Sequence, residues 1–191
     1  MKFKSFIAES TRLARELVNE SDPNDIQYLN RLRVLLGQVE DIPKFNSENA
    51  IIKKGGKGWN WCTVADSMPL YGIQLNIASG GSLPTHDHRG YIGLGYVLDG
   101  QVKVTTYSKA SVVDGELLLT KISESILSPG EFGIVPLKSA NIHTIQDIAG
   151  GSTLLDLLTI FNGDGDSYEI KINDKKNYEG LYPASFTGNK I

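Results

Sequence analysis

Two of the three histidines in this 191-residue chain stand one residue apart, in the segment LPTHDHRGYIG. His86 and His88 lie on a predicted strand, and because alternate side chains of a strand share a face, both imidazoles can reach one metal ion. His143 lies in a second predicted strand, SANIHTIQDI, which closure of a barrel would bring opposite the pair. A single histidine on a strand is more often a packing residue, so the prediction depends on the His-x-His pair. Three neutral imidazoles suit zinc, iron, copper or nickel better than magnesium or calcium.

Two predicted helices precede the histidine segments. Apolar residues recur at helical intervals over residues 3 to 18, which predicts an amphipathic helix. In SDPNDIQYLNRLRVLLGQ, Asp22 can cap a second helix, Pro23 suits its first turn and Gly37 ends it. The buried stripe of this second helix is predicted to consist of Ile26, Leu29, Leu32 and Leu36.

From about residue 58 the chain changes to short β-branched, aromatic and leucine runs separated by Gly, Asp, Asn and Pro, which predicts about eight to ten antiparallel strands. Asp99-Gly100 and Asp114-Gly115 lie between such runs and predict tight hairpins. The glycines of GGKGWNW, residues 55 to 61, are interpreted as a turn rather than a phosphate loop. The tail after Tyr178 is rich in Gly, Pro and Ser and is expected on the surface.

These elements predict one all-β domain, a sandwich or barrel with N-terminal helices. We place a helical preface at residues 1–40 and the barrel at residues 41–191.

Composition narrows the classes of partner. The 19 basic and 22 acidic residues are interspersed and give a net charge of -3, which argues against nucleic acid and anionic membrane partners. Cys62 is the only cysteine, so an internal disulfide and multi-cysteine zinc sites are excluded. Neither a signal peptide nor a run of roughly 20 apolar residues is present in the sequence, and we expect a cytoplasmic protein.

The histidine segment resembles the first sequence motif of the cupins, a family of double-stranded β-helix (jelly-roll) barrels. Gly80, His86, His88 and Gly100 stand at the motif positions, but Gly93 replaces the glutamate that serves as the fourth ligand. The second motif is degenerate in this chain. Gly130 and Pro136 match it, whereas His143 comes two residues late.

Loss of the glutamate is a feature of the cupin thiol dioxygenases, and PTHDHRG and NIHTIQDIAGGSTLLDLLTIF resemble the cysteamine and plant cysteine oxidase type. The resemblance implies Fe(II) bound by His86, His88 and His143, and oxidation of a small thiol or an N-terminal cysteine to a sulfinate with O2. It also implies a homodimer. Three neutral ligands would leave the ion its full charge to bind a thiolate, and this favours the same chemistry.

Four further residues are candidates for the site. Asp156 interrupts the apolar run TLLDLLTI, where an unpaired charge would cost several kcal/mol. It either orients a ligand or a substrate amine, or it forms a structural ion pair or lies on an exposed face. Tyr91 and Tyr168 could donate a hydroxyl to O2 or substrate, or fill the core. Arg89 could hold a substrate carboxylate bidentately, although strict alternation would point it away from the metal.

Two other functions stay open. One is a non-oxidative cupin enzyme with Zn, Ni or Mn that performs isomerisation, decarboxylation or hydrolysis, for which Asp156 is the candidate base. The other is a non-catalytic, ligand-binding cupin.

Overall fold

The structure is a computed structural model that describes residues 1–49, 58–162 and 165–191. Residues 55–57, the first part of the predicted glycine turn, lie outside these ranges. Helices α1 (Phe3–Val18) and α2 (Asp25–Leu36) and a short 3₁₀ turn (Ser47–Asn49) come first. The described strands are β1 (Trp59–Ser67), β2 (Leu70–Ala78), β3 (Ser82–Asp87), β4 (Tyr91–Asp99), β5 (Val102–Val113), β6 (Glu116–Leu127), β7 (Phe132–Val135), β8 (Ile142–Asp147), β9 (Gly151–Ile160), β10 (Tyr168–Ile172) and β11 (Tyr182–Lys190).

Two antiparallel sheets form the body of the molecule. The first sheet has the strand order β1-β2-β9-β4-β7, and the second has the order β10-β11-β6-β5-β8-β3. Pairing of β10 with β3 joins the two ends of the second sheet. The all-β prediction with N-terminal helices is therefore confirmed. Among the described residues, no helix has the length and apolar character needed to cross a membrane.

Helix α2 differs in detail from its prediction. Its N-cap is Asn24, whose Oδ1 accepts a hydrogen bond from the Gln27 amide at 3.0 Å, and not Asp22. Ile26 is 42% exposed rather than buried. Tyr28 takes its place, because the centre of the buried face lies about a quarter of a turn around the helix axis from Ile26.

Only one of the two predicted hairpins forms. Asp114-Gly115 joins β5 to β6, and its φ angles of 51° and 83° suit a type I′ turn. Asp99-Gly100 instead carries the chain from β4 in the first sheet to β5 in the second, so that prediction is wrong. Gly100 has φ 77°, and a Cβ there would lie 2.3 Å from the carbonyl oxygen of Gly151.

The C-terminal tail lies largely at the surface, as expected, because most of its residues are exposed. It also forms β11, which pairs with both β10 and β6, and Ala184 within it is buried. This strand was not predicted because Gly, Pro and Ser lower strand propensity, whereas two neighbouring strands supply the backbone partners.

The helices cover the outer face of the first sheet. Phe6, Leu29 and Leu32 belong to one apolar cluster with Ile92 of β4 and Leu155 of β9. The Tyr28 hydroxyl forms a buried hydrogen bond of 2.6 Å with Thr159 Oγ1 of β9. A second cluster lies between the sheets and contains Trp59, Leu75, Ile77, Leu83, Val97, Val102, Ile145 and Leu154.

Asp147, at the end of β8, joins two turns. Its carboxylate accepts hydrogen bonds from Gly80 N at 2.9 Å, Gly151 N at 3.0 Å and Ser152 Oγ at 2.5 Å. Desolvation raises the pKa of Asp147, but the hydrogen bonds from Ser152 and the backbone amides outweigh it and bring that pKa to about 2. The turn after β2 is thereby tied to the turn before β9.

Candidate metal centre

Strand pairing brings the distant histidine to the His-x-His pair. His86 on β3 lies directly opposite His143 on β8 in the antiparallel register. Side chains directly opposite each other have Cβ atoms about 4.5 to 5.5 Å apart, within reach of one shared ligand. His88 follows β3 by one residue, and alternation turns it to the same side as His86.

The three Nε2 atoms form a small triangle. They are separated by 3.1 Å (His86 to His88), 3.1 Å (His86 to His143) and 3.3 Å (His88 to His143). Nitrogen ligands about 2.0 to 2.1 Å from one ion, at angles between a right angle and tetrahedral, are roughly 2.8 to 3.4 Å apart. The three histidines, all buried, could therefore hold one metal ion.

The protonation of the rings suits coordination. Nδ1 of His86 lies 2.8 Å from the Pro84 carbonyl oxygen, which can only accept, so Nδ1 carries the proton and Nε2 keeps its lone pair. Burial lowers the pKa of His86, and burial followed by the neighbouring imidazoles holds the pKa of His88 and of His143 well below the usual range. Neutral imidazoles are the form that binds metal.

His88 differs from His86 in that ring stacking, and not a hydrogen bond at Nδ1, fixes its orientation. Its ring stacks on Tyr91 with centroids 4.5 Å apart. Its Nδ1 is buried and has no hydrogen-bond partner among the described residues.

Gly93 stands beside the cluster where the resembled motif has a glutamate. A Cβ built there would lie 3.9 Å from His88 Cε1 and 3.7 Å from Asp156 Oδ1. No carboxylate joins the three histidines as a close ligand group within the described part of the chain. The cluster is therefore an all-nitrogen set.

Asp156 approaches from β9, where it lies opposite Gly95 of β4. Its carboxyl group makes no hydrogen bond with any described residue, and burial raises its pKa to about 6. Neither the structural ion pair nor the fully exposed position considered from the sequence is present in the described residues.

A cavity of about 250 Å³, here called the metal cavity, opens beside the histidines. Its polar lining includes His86, His88, Tyr91, Asp156 and Ser167, and its apolar wall includes Trp59, Trp61, Leu75, Leu83, Leu158 and Ile160. The hydroxyl groups of Tyr91 and Ser167 are hydrogen-bonded to each other. Burial raises the pKa of Tyr91, so its phenol stays protonated and can donate. A smaller cavity of about 160 Å³ touches His143 and shares Leu75 and Asp156 with the metal cavity.

Arg89 and Tyr168 lie elsewhere. Arg89 Nε donates to Asp87 Oδ2 at 2.6 Å, and its guanidinium lies 4.3 Å from the centroid of the Tyr168 ring. Neither side chain is among the described residues that line the metal cavity. The structure thus gathers His86, His88, His143, Tyr91 and Asp156, and places Arg89 and Tyr168 outside that group.

Sequence reasoning missed several residues of the cavity wall. Trp59 and Trp61 alternate on β1, and this period-2 spacing was a signal that they share a face. Ser167 carries no such signal, because its partner Tyr91 is far away in sequence. Lys190 lines the cavity from the tail that was expected on the surface.

Several solved structures are similar to this chain. KdgF from Halomonas sp. gives a TM-score of 0.47 at 20% identity, over 64% of this chain and 96% of that chain. The Schizosaccharomyces pombe Cnp3 cupin domain gives 0.45 at 15% identity, over 60% and 69% of the two chains. Procruciferin, an 11S globulin from Brassica napus, gives 0.50 at 14% identity, over 66% of this chain and 31% of that chain.

No protein-family model and no curated protein sequence matches the chain. At 14% identity, the likeness to procruciferin bears on the fold alone. The chain has the cupin jelly-roll fold with two N-terminal helices, as the sequence predicts. Fold and site together define a cupin-fold protein in which three buried histidines could hold a metal ion.

Proposed function

We propose that this protein is a ferrous thiol dioxygenase that oxidises a small thiol, or a peptide with an N-terminal cysteine, to a sulfinate. The observation that carries the proposal is the all-nitrogen histidine triangle, without a close carboxylate among the described residues, at the wall of a mostly apolar cavity. In the overall reaction a thiol and one O2 give one sulfinic acid, so both oxygen atoms are added to sulfur and no other reductant is needed.

The chemistry of the donor set favours this assignment. Neutral nitrogen ligands suit iron and leave a divalent ion its full charge, which lowers the pKa of a bound thiol. When bound, ferrous iron supplies coordination of the thiolate and activation of O2.

The residues around the histidines have separate roles in the proposal. His86 presents Nε2 because Pro84 fixes the proton on Nδ1. The phenol of Tyr91 stays protonated and, held by Ser167, is a hydrogen-bond donor at the cavity wall. Asp156 has no partner of its own among the described residues, so its carboxylate is available to hold a substrate amine.

The apolar wall excludes water from the reacting groups. Electrostatic attraction and hydrogen bonds are stronger in such a site than in water, which favours capture of a small charged thiol. The cavity of about 250 Å³ is below the usual range of about 300 to 1,000 Å³ for ligand sites, which fits a small thiol or the end of a longer molecule. A cytoplasmic location and a homodimer belong to the same proposal.

Metal analysis and oxygen uptake test the proposal. Protein purified without oxygen and loaded with Fe(II) is given cysteine, cysteamine, 3-mercaptopropionate or a peptide with an N-terminal cysteine. We expect at least one thiol to consume one O2 per molecule and to gain two oxygen atoms by mass spectrometry. The variant His143→Ala removes one of the three proposed ligands. Its matched control is Gln146→Ala, a substitution on the same strand. Bound zinc, with no oxygen uptake by the iron-loaded protein for any thiol, would reject the proposal.

One observation favours a second candidate, a non-oxidative metal cupin. The pKa of Asp156, raised to about 6 by burial, suits a general base near neutral pH. With Zn, Ni or Mn as a Lewis acid, such a base would support isomerisation, decarboxylation or hydrolysis. Retention of one of these metals through purification, without oxygen uptake, would favour this candidate. A purely ligand-binding cupin would show neither activity.

A further inference from the structure

A third cavity, here called the cationic cavity, has a volume of about 480 Å³, and its lining includes one of the three histidines, His88. Three cationic side chains line it: Arg89, Lys109 and Lys138. Asp87 is the one acidic residue in its described lining. The whole chain carries a net charge of -3, so this local excess of positive charge does not follow from composition.

The single acid in the cationic cavity is already engaged. Asp87 Oδ2 accepts from Arg89 Nε at 2.6 Å, and Oδ1 accepts from the Tyr168 amide at 2.8 Å. Lys109 and Lys138 are exposed and form no ion pair with any residue that the structure describes. Two positive charges therefore remain uncompensated at this cavity.

Arg89 is held in place for a ligand. Its guanidinium carbon lies 4.3 Å from the ring centroid of Tyr168 and 4.7 Å from that of Phe186. Only Nε is used by Asp87, and the two terminal nitrogens have no acceptor within the described ranges. A guanidinium fixed in this way loses little conformational entropy when its two free terminal NH2 groups donate to two oxygens of one anion.

The rest of the lining suits an organic anion. Asn141 and Ser139 add uncharged polar groups, and Val112, Leu117, Ile142 and Phe186 supply apolar surface. A volume of about 480 Å³ exceeds what an inorganic anion needs and lies within the usual range of about 300 to 1,000 Å³ for small-molecule sites. We propose that the cationic cavity binds a phosphate-bearing small molecule, with the phosphate between Arg89 and the two lysines.

The site shares His88 with the histidine cluster, but its charged groups lie outside that cluster. Asp87 stands between two of the histidines in the chain, and its carboxylate is turned to Arg89 and the amide of Tyr168. Binding of the phosphate requires neither the metal nor thiol oxidation, so metal-free protein can be used to test it.

Calorimetric titration of the full, metal-free chain at constant ionic strength tests the proposal. The probes are inorganic phosphate, glycerol 3-phosphate, and vesicles of phosphatidylcholine with phosphatidic acid. We expect saturable, one-site binding of glycerol 3-phosphate, tighter than that of inorganic phosphate. The double variant Lys109→Ala/Lys138→Ala should weaken it at least about tenfold, since it removes two charged contacts. The matched control, Lys44→Ala/Lys171→Ala, removes the same charge from exposed positions outside the cavity.

Arg89→Lys is a second test, because it keeps the positive charge and removes the planar guanidinium that can donate to two oxygens at once. A clear loss of affinity in this variant, with unchanged thermal unfolding, supports bidentate binding. Equal weakening by the two lysine double variants would show a general charge effect and overturn the proposal. Absence of saturable binding to both soluble probes would also overturn it. Binding only to vesicles would assign the surface to a lipid headgroup and reject a soluble ligand.

Discussion

Asp156→Asn should remove a pH-dependent cost to the stability of the metal-free protein. Burial raises the pKa of Asp156 from 3.8 to about 6 in the folded state, while the unfolded chain keeps the ordinary value. Below pH about 3 the carboxyl is protonated in both states and costs nothing. Between pH about 3 and about 6 the unfolded state ionises first, so stability falls as the pH rises.

The magnitude follows from the shift. Two pKa units correspond to about 3 kcal/mol, which is the full cost of ionised Asp156 above pH about 6. Asparagine keeps the size of the side chain and carries no charge at any of these pH values. The stability of the variant minus that of the wild type should therefore rise by about 3 kcal/mol between pH 3 and pH 7. Any pH-independent effect of the amide cancels from this change.

Urea unfolding of both proteins at several pH values, with a chelator present, measures the difference. Titration of the three histidines is common to the two proteins and drops out of the comparison. Asp174→Asn, at an exposed position, is the matched control for the loss of one carboxylate. A flat curve for Asp156→Asn would show that the carboxyl is solvated, and the reasoning on its burial would be wrong. If the same variant, loaded with Fe(II), oxidised thiols at the wild-type rate, Asp156 would have no part in holding substrate.

Three further changes have defined outcomes. His143→Ala should abolish tight metal binding in elemental analysis of the purified protein, because it removes one corner of the Nε2 triangle; unchanged metal content would mean that the third ligand is another residue. Asp147→Asn should destabilise the protein by about 2 to 3 kcal/mol at pH 7 in urea unfolding, because it removes the charged acceptor of several hydrogen bonds. That loss should shrink as the pH falls from about 4 to about 2, because the unfolded carboxylate binds its proton near pH 4 and the native one only near pH 2; a pH-independent loss would contradict this account. Gly100→Ala should lower thermal stability more than Gly115→Ala, since both have positive φ but only Gly100 faces a close carbonyl oxygen; equal losses would mean that the backbone conformation alone decides.

Local patterns predicted the elements better than their connections. The Asp-Gly dipeptide at 114–115 makes a hairpin, and the same dipeptide at 99–100 crosses between sheets. The two dipeptides are locally alike. Which of them closes a hairpin depends on whether the following strand pairs with the preceding strand or with strands far along the chain. A short stretch of sequence does not show which strands will pair.

The candidate site was predictable in part for the same reason. Alternation on one strand predicts that His86 and His88 share a face, and it also predicted that Arg89 would turn away from them. The register that sets His143 opposite His86 depends on hydrogen bonds between β3 and β8, which spacing alone does not encode. The wall residue Ser167 depends in the same way on the long-range partner Tyr91.

The helical cover is integral to the fold, as shown by the apolar cluster that it shares with the first sheet and by the bond between Tyr28 and Thr159. Thr159 lies three residues from Asp156 on the same strand. Removal of the first forty residues, to obtain a smaller crystallisation target, would expose the apolar outer face of that strand. Such a fragment should aggregate, and a loss of metal binding in it would be no guide to the role of the helices at the site.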